Sequence, residues 1–150
     1  MTTLKIGDKA PNFSAVDQDG KNHSLNDYKG SKLVVFFYPA ASTPSCTVEV
    51  CNLRDNYSEF ISKGYKLLGV SADTAKKQSS FIKKNELPFS LLADVDKKVI
   101  EAFGVWGPKK FMGREFDGIH RTTFVIDEKG IIEDIIEKVN TKEHSKQILK

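Results

Sequence analysis

The chain has 150 residues, 39% apolar and 29% charged, with a formal net charge of +3. That length suits one domain spanning 1–150, able to bury a core without a disulfide or metal staple; the charge is too small to point to nucleic acid, and no apolar run approaches the roughly 18 residues of a membrane span. Residues 1–13 have neither the apolar core of a secretion signal nor the Arg/Ser-rich look of a transit peptide, so a cytoplasmic protein is expected, where two cysteines point to chemistry or metal binding before a structural staple.

In chain order, DQDG (17–20) and YKG (28–30) read as turns. LVVFFY (33–38) is a short β-branched and aromatic run and predicts a buried strand. Over 44–63, Val50, Leu53, Tyr57, Phe60 and Ile61 fall near the spacing of one helix face, and Gly64 follows as a C-cap. KLLGVSA (66–72) and FSLLA (89–93) predict two more strands, separated by a helix over 74–85 and the loop ELP (86–88), and a further helix is expected over 96–103. Lys109, Lys110 and Arg114 around Phe111 and Phe116 read as a solvated loop anchored by its aromatics, with Trp106 packing beside it. TTFVI (122–126) and GIIEDIIEKV from Gly130 form a hairpin around the turn DEKG (127–130). TKEHSKQILK (141–150) predicts a last short helix capped by Thr141. Strands alternating with helices imply an α/β fold, its central sheet mixed and flanked by helices on both faces.

FYPAASTPSCTVEVC (37–51) carries both cysteines, five positions apart. It spans the carboxyl end of a strand and the start of a helix, where active sites of open α/β sheets gather. Thr43 fits an N-cap and Pro44 the first helical position, so Cys46 falls in the first turn. Unpaired amides and the positive end of the helix dipole there favour a thiolate, the nucleophilic form of sulfur. The alternative for Cys46 is a small buried hydrophobe. Along an intact helix five residues advance about 7.5 Å and turn about 500°, whereas a disulfide needs Cα atoms within about 7 Å. Any bond between Cys46 and Cys51 therefore requires the first turns to unwind.

A zinc site needs two ligands beyond C-x4-C, and His23, His120 and His144 are scattered. The C-x-x-C of a dithiol reductase is absent. No metal and no cofactor is expected. A thiolate attacking a peroxide becomes a sulfenic acid, which a second thiol converts to a disulfide. Cys51 is placed for that second step.

P-A-A-S-T-P-S-C (39–46) fits P-x-x-x-T-x-x-C, and the chain resembles the peroxiredoxins of the bacterioferritin comigratory protein or PrxQ subfamily. GDKAPNFSAVDQDG (7–20), CTVEVCNLRDNYSEF (46–60), GVSADTAKKQSSF (69–81), FSLLADVDKKVIEAFGVW (89–106) and GIHRTTFVID (118–127) extend the likeness over nearly the whole chain. The resemblance implies a thioredoxin fold with an N-terminal β-hairpin extension. It implies Cys46 as the peroxidatic cysteine and Cys51 as the resolving one. Thr43 would bond peroxide and thiolate, Pro39 would shield the pocket, Arg121 would hold peroxide and stabilise the thiolate, and Glu49 would orient the arginine. Implied partners are hydrogen peroxide or organic hydroperoxides and thioredoxin or a similar dithiol; a monomer is expected, with a dimer through an exposed face as the alternative. Ala40, Ala41 and Ser45 depart from the usual Lys-Asp and Gly, and Ser45 is less permissive than Gly in backbone angles. From a different class, a redox sensor with a Cys46–Cys51 switch and little turnover fits the same residues.

Overall fold

The computed structural model describes residues 2–150. β1 (Ser14–Val16) and β2 (Asn22–Ser24) pair antiparallel as an N-terminal hairpin, followed by a 3₁₀ turn, Leu25–Tyr28. Then come β3 (Lys32–Phe37), α1 (Pro44–Asp55), α2 (Tyr57–Ser62), β4 (Tyr65–Ser71), α3 (Ala75–Asn85), β5 (Ser90–Ala93) and α4 (Lys98–Ala102). A second hairpin, β6 (Trp106–Phe111) and β7 (Arg114–Ile119), precedes β8 (Thr122–Ile126), β9 (Ile132–Ile136) and α5 (His144–Leu149). The main sheet runs β5-β4-β3-β8-β9: β3, β4 and β5 are parallel, and β8 joins β3 antiparallel with β9 returning beside it.

The sheet is covered on both faces, which is why β3 reads as an unbroken apolar run. Leu33, Val35 and Phe37 point to one core with Phe103, Phe124, Ile100 and the N-terminal Phe13. Val34 and Phe36 point to the other, with Val50 and Leu53 of α1, Phe60 of α2, Phe81 of α3 and Ile148 of α5. Phe37, Phe103 and Phe124 meet at centroid distances of 4.9–5.8 Å. Burying each ring contributes on the order of 2–3 kcal/mol, more than the roughly 1 kcal/mol span of intrinsic strand preference, so burial decides these strands.

Three expectations change. The helix over 44–63 is broken at Asn56, whose Nδ2 donates to the Asn52 carbonyl at 2.9 Å. That carbonyl is the i−4 acceptor for the Asn56 backbone amide, which turns to Leu53 O at 3.3 Å instead. The segment around 109–116 is a hairpin rather than a loop. Its faces are largely exposed, so no alternating pattern marked it, and Met112 and Gly113 both take positive φ (51° and 78°) in the two-residue turn. The last helix starts at His144, after Glu143 and not after a Thr141 cap. Its first-turn amide at Ser145 is satisfied by Asn52 Oδ1 of α1 at 2.8 Å, a cap supplied from another helix.

Gly69 lies mid-β4, where a Cβ would stand 2.6 Å from Leu91 Cδ2 and 2.7 Å from Phe36 Cζ. Gly69→Ala is expected to destabilise the fold by about 1–3 kcal/mol through overpacking, read as a lowered urea midpoint with an unchanged slope.

Candidate active site

The antiparallel register of β3 and β8 pairs Phe37 with Thr122. The loop leaving β3 and the residues entering β8 therefore share one end of the sheet, and α1 begins from that loop. Pro44 occupies the first helical position and Cys46 the third, so the Ser45 and Cys46 amides lie in the turn whose N–H groups have no intrahelical acceptor. Cys46 is fully buried. Arg121, 75 positions away, donates from Nη2 to Cys46 Sγ at 3.3 Å and from Nη1 to Glu49 Oε1. One guanidinium thus spans the sulfur and the carboxylate, which lie on one face of α1 at i and i+3.

Thr43 stands at the N-cap position, but its hydroxyl does not cap α1; it donates to Ala40 O at 2.9 Å. Its carbonyl accepts from both the backbone and the hydroxyl of Thr47. Pro39 is half-buried at the head of the loop. Ser45 is helical, so its backbone angles suit a serine as well as a glycine, and it is Ser42 that takes the left-handed conformation, with φ 64°. Loop 39–43 is tied down by Asp73, which accepts from the Ala41 amide at 2.7 Å and from Ser71 Oγ at 2.7 Å. Behind it, Gln78 accepts from the Tyr38 hydroxyl and donates to Ser71 Oγ and Leu92 O, linking β3, β4, β5 and α3 through one buried amide.

Cys51 is partly buried, with Sγ 3.6 Å from Asn85 Oδ1. Both thiols are free and α1 is intact between them. The three histidines go to three places. His23 bonds Asp17 and Tyr28 and ties down the N-terminal hairpin; His120 reaches Pro108 O of β6 at 2.9 Å. His144, fully buried, comes to the site from α5, with Nε2 3.6 Å from Glu49 Oε2. Neither its spacing nor its neighbours in sequence marked it. Lys109, read as part of an exposed cluster, folds back to donate to Ile119 O at 2.8 Å. A cavity of about 640 Å³ opens beside Arg121, between Lys109, His120, Thr122 and the segment Glu137–Val139.

Burial dominates the electrostatics. It raises the Glu49 carboxyl to about 7 against the opposing pull of Arg121. It lowers His144 to about 4, a shift that Gln147 opposes and Arg121 deepens. His144 is therefore neutral near pH 7, and its approach to Glu49 is a contact rather than an ion pair. Burial works against charge on Arg121 too, yet Glu49 and Cys46 together hold it above the ordinary arginine value. Lys109 is lowered by burial and by Arg121, with Cys46 acting in the other direction.

The AhpC/TSA family matches residues 6–135. The chain is 48% identical to the peroxiredoxin Bcp of Escherichia coli K12 over 149 residues, which is 99% of this chain and 96% of that protein. It is similar to the solved structure of the bacterioferritin comigratory protein of Xanthomonas campestris, described by its alkyl peroxide reduction activity, with a TM-score of 0.88 and 30% identity over 99% of this chain and 95% of that one. The structure of BcpB from Mycobacterium tuberculosis gives a TM-score of 0.86 and 34% identity over 97% and 94% of the two chains. The thioredoxin fold of peroxiredoxin type, expected from the sequence, is the fold observed.

Glu49 and His144 pull stability in opposite directions with pH. A carboxyl raised on folding contributes stability below about pH 4.5 that is lost as pH rises through about 7. A histidine lowered from 6.5 contributes above that value and loses it as pH falls toward about 4. Between pH 5 and 6.5 the two offset. In Glu49→Gln only the histidine remains, so its unfolding free energy should rise by on the order of 2 kcal/mol from pH 5 to 6.5, relative to the parent chain, in urea titrations at the two values.

Proposed function

Because the chain belongs to the AhpC/TSA family and, within it, to the Bcp/PrxQ peroxiredoxins, we propose that Cys46 is the peroxide-attacking residue of a thiol peroxidase recycled through Cys51 and a dithiol reductant. The observation that carries this reading is the guanidinium of Arg121 bonded at once to Cys46 Sγ and to Glu49. A cation donating to the sulfur at a helix start favours the anionic nucleophile.

The Cys46 thiolate attacks the terminal oxygen of a hydroperoxide. The S–O bond forms as the O–O bond breaks, giving a sulfenic acid and an alkoxide that takes a proton to leave as alcohol, or as water from hydrogen peroxide. Arg121 is placed to hold both the thiolate and the charge that develops on the leaving oxygen, and the free first-turn amides of α1 add donors on the same side. Pro39 and the Asp73-pinned loop shield the sulfur, and the Thr43 hydroxyl turns from Ala40 O to the peroxide when it binds. The description of the Xanthomonas campestris relative by alkyl peroxide reduction supports organic hydroperoxides beside hydrogen peroxide.

Cys51 then condenses with the sulfenic acid, forming the disulfide and releasing water. Five residues of intact helix keep the two sulfurs apart, so α1 unwinds over its first turns to allow the bond. Thioredoxin or a similar dithiol protein restores both thiols and is itself oxidised to its disulfide. Turnover of this kind, in a cytoplasmic monomer, distinguishes the peroxidase from a redox sensor built on the same two cysteines.

Cys46→Ser is expected to abolish peroxide consumption; retention of full turnover would falsify the assignment. Cys51→Ser should take up one oxygen atom per chain in intact-mass measurements and then stall with a thioredoxin-type donor. Arg121→Lys, which cannot span two acceptors as a guanidinium does, should slow Cys46 oxidation by about 10²-fold in stopped flow. In hydrogen exchange, amides 47–55 should lose protection when the protein is oxidised; equal protection in both states would exclude an intrachain disulfide.

A further inference from the structure

The geometry points to His144 as a positioning residue of the Cys46 site: it governs the protonation of Glu49 and, through it, how Arg121 divides its charge between carboxylate and sulfur. The hydrogen-bond pattern around the imidazole leaves one assignment. Gln147 Oε1 accepts the Asn140 amide at 2.9 Å while its Nε2 donates to Lys138 O at 2.9 Å, which fixes the orientation of the side-chain amide. Oε1 also faces His144 Nδ1 at 2.8 Å, so Nδ1 carries the ring hydrogen. In the neutral ring Nε2 is then a bare acceptor, filled by the Thr123 hydroxyl at 2.7 Å.

Glu49 Oε2 lies 3.6 Å from that same nitrogen and has no hydrogen-bond partner among the described residues, although the residue is fully buried. The two carboxyl oxygens are thus unequal: Oε1 is held by Arg121, and Oε2 faces a lone pair. An ionised Oε2 faces that lone pair with no donor to offset its charge, which a proton on Oε2 relieves; Nε2 becomes the acceptor of that proton only where the Thr123 hydroxyl gives it up. The other charged or titratable groups nearby are Cys46 on the same helix, Tyr38 after β3, Arg121 ahead of β8, and, around the cavity beside the arginine, Lys109 of β6, His120, Glu137 and Lys138. When Glu49 is neutral, the bond from Arg121 Nη1 no longer meets a carboxylate charge and Nη2 stays on Cys46 Sγ; when Glu49 is ionised, the guanidinium is shared between the two. His144 reaches this position because α5 is docked on α1, where Asn52 accepts the Ser145 amide and donates to Lys142 O.

The catalytic consequence rests on Cys46 being the peroxide-attacking sulfur; the protonation of Glu49 does not, and it can be read directly. Infrared titration follows the carbonyl stretch of a protonated buried carboxyl, assigned by its absence in Glu49→Gln. In the parent chain the band should disappear with a midpoint near pH 7. His144→Gln supplies an amide donor at the Nε2 position and should move the midpoint down by about one pH unit. Thr123→Val leaves Nε2 free to accept from Glu49 and should move it up, with little change in packing volume. The pH profile of peroxide-driven Cys46 oxidation should shift with the band in each variant. Opposite displacements establish the role. A midpoint that stays in place in either variant, or moves the same way in both, overturns it, whatever becomes of the peroxidase activity.

Discussion

One guanidinium bonded to two acceptors on the same helix face is the interaction around which this protein is arranged. Arg121 must reach Cys46 and Glu49 together, and both must be buried for its charge to matter, because water would screen the pair to little effect. The backbone solves this with a sheet register. Phe37 opposite Thr122 brings the residue before β8 to the mouth of the loop that feeds α1. A slip of one residue would send Arg121 to the other face and leave Glu49 as an unpaired buried acid.

The cost of that arrangement is carried by the two apolar cores. β3 presents alternate residues to each, and the aromatic cluster of Phe37, Phe103 and Phe124 holds β3, β8 and α4 against one another independently of the site. The same rigidity fixes the polar layer next to Cys46. Tyr38, Gln78, Ser71 and Asp73 form a connected run of buried or half-buried hydrogen bonds ending on the Ala41 amide, and Ser42 can hold a left-handed conformation because the residues on either side of it are tied down.

α1 is asymmetric in how it is held. Its start has few local supports, since Thr43 gives its hydroxyl to Ala40 rather than to the helix. Farther along, Asn52 bonds α5, Arg54 donates to Asn85 O at 2.7 Å, and Asn56 stops the helix with its own side chain. The far end of the helix is thus tied by side chains to its neighbours, whereas its start is held by burial and by Arg121 instead of by a side-chain cap.

The strands of the main sheet, the helix start before Cys46 and the peroxiredoxin resemblance were legible in the residues themselves, because each rests on local order: apolar runs, T-P at a helix start, a motif within eight positions. The break at Asn56, the β6–β7 hairpin and the start of α5 were not. The first turns on a side chain competing for one carbonyl, the second on a Met-Gly turn between exposed faces, and the third on a cap borrowed from α1. Arg121 and Glu49 could be named from the family pattern, but the unequal surroundings of the two Glu49 oxygens could not. The sequence by itself determined the family and that Cys46 lies in a first helical turn. Tertiary structure alone decided that a histidine 95 positions along the chain from Glu49 would face its free oxygen, since desolvation and hydrogen-bond geometry depend on what packs against a group and not on what precedes it in the chain.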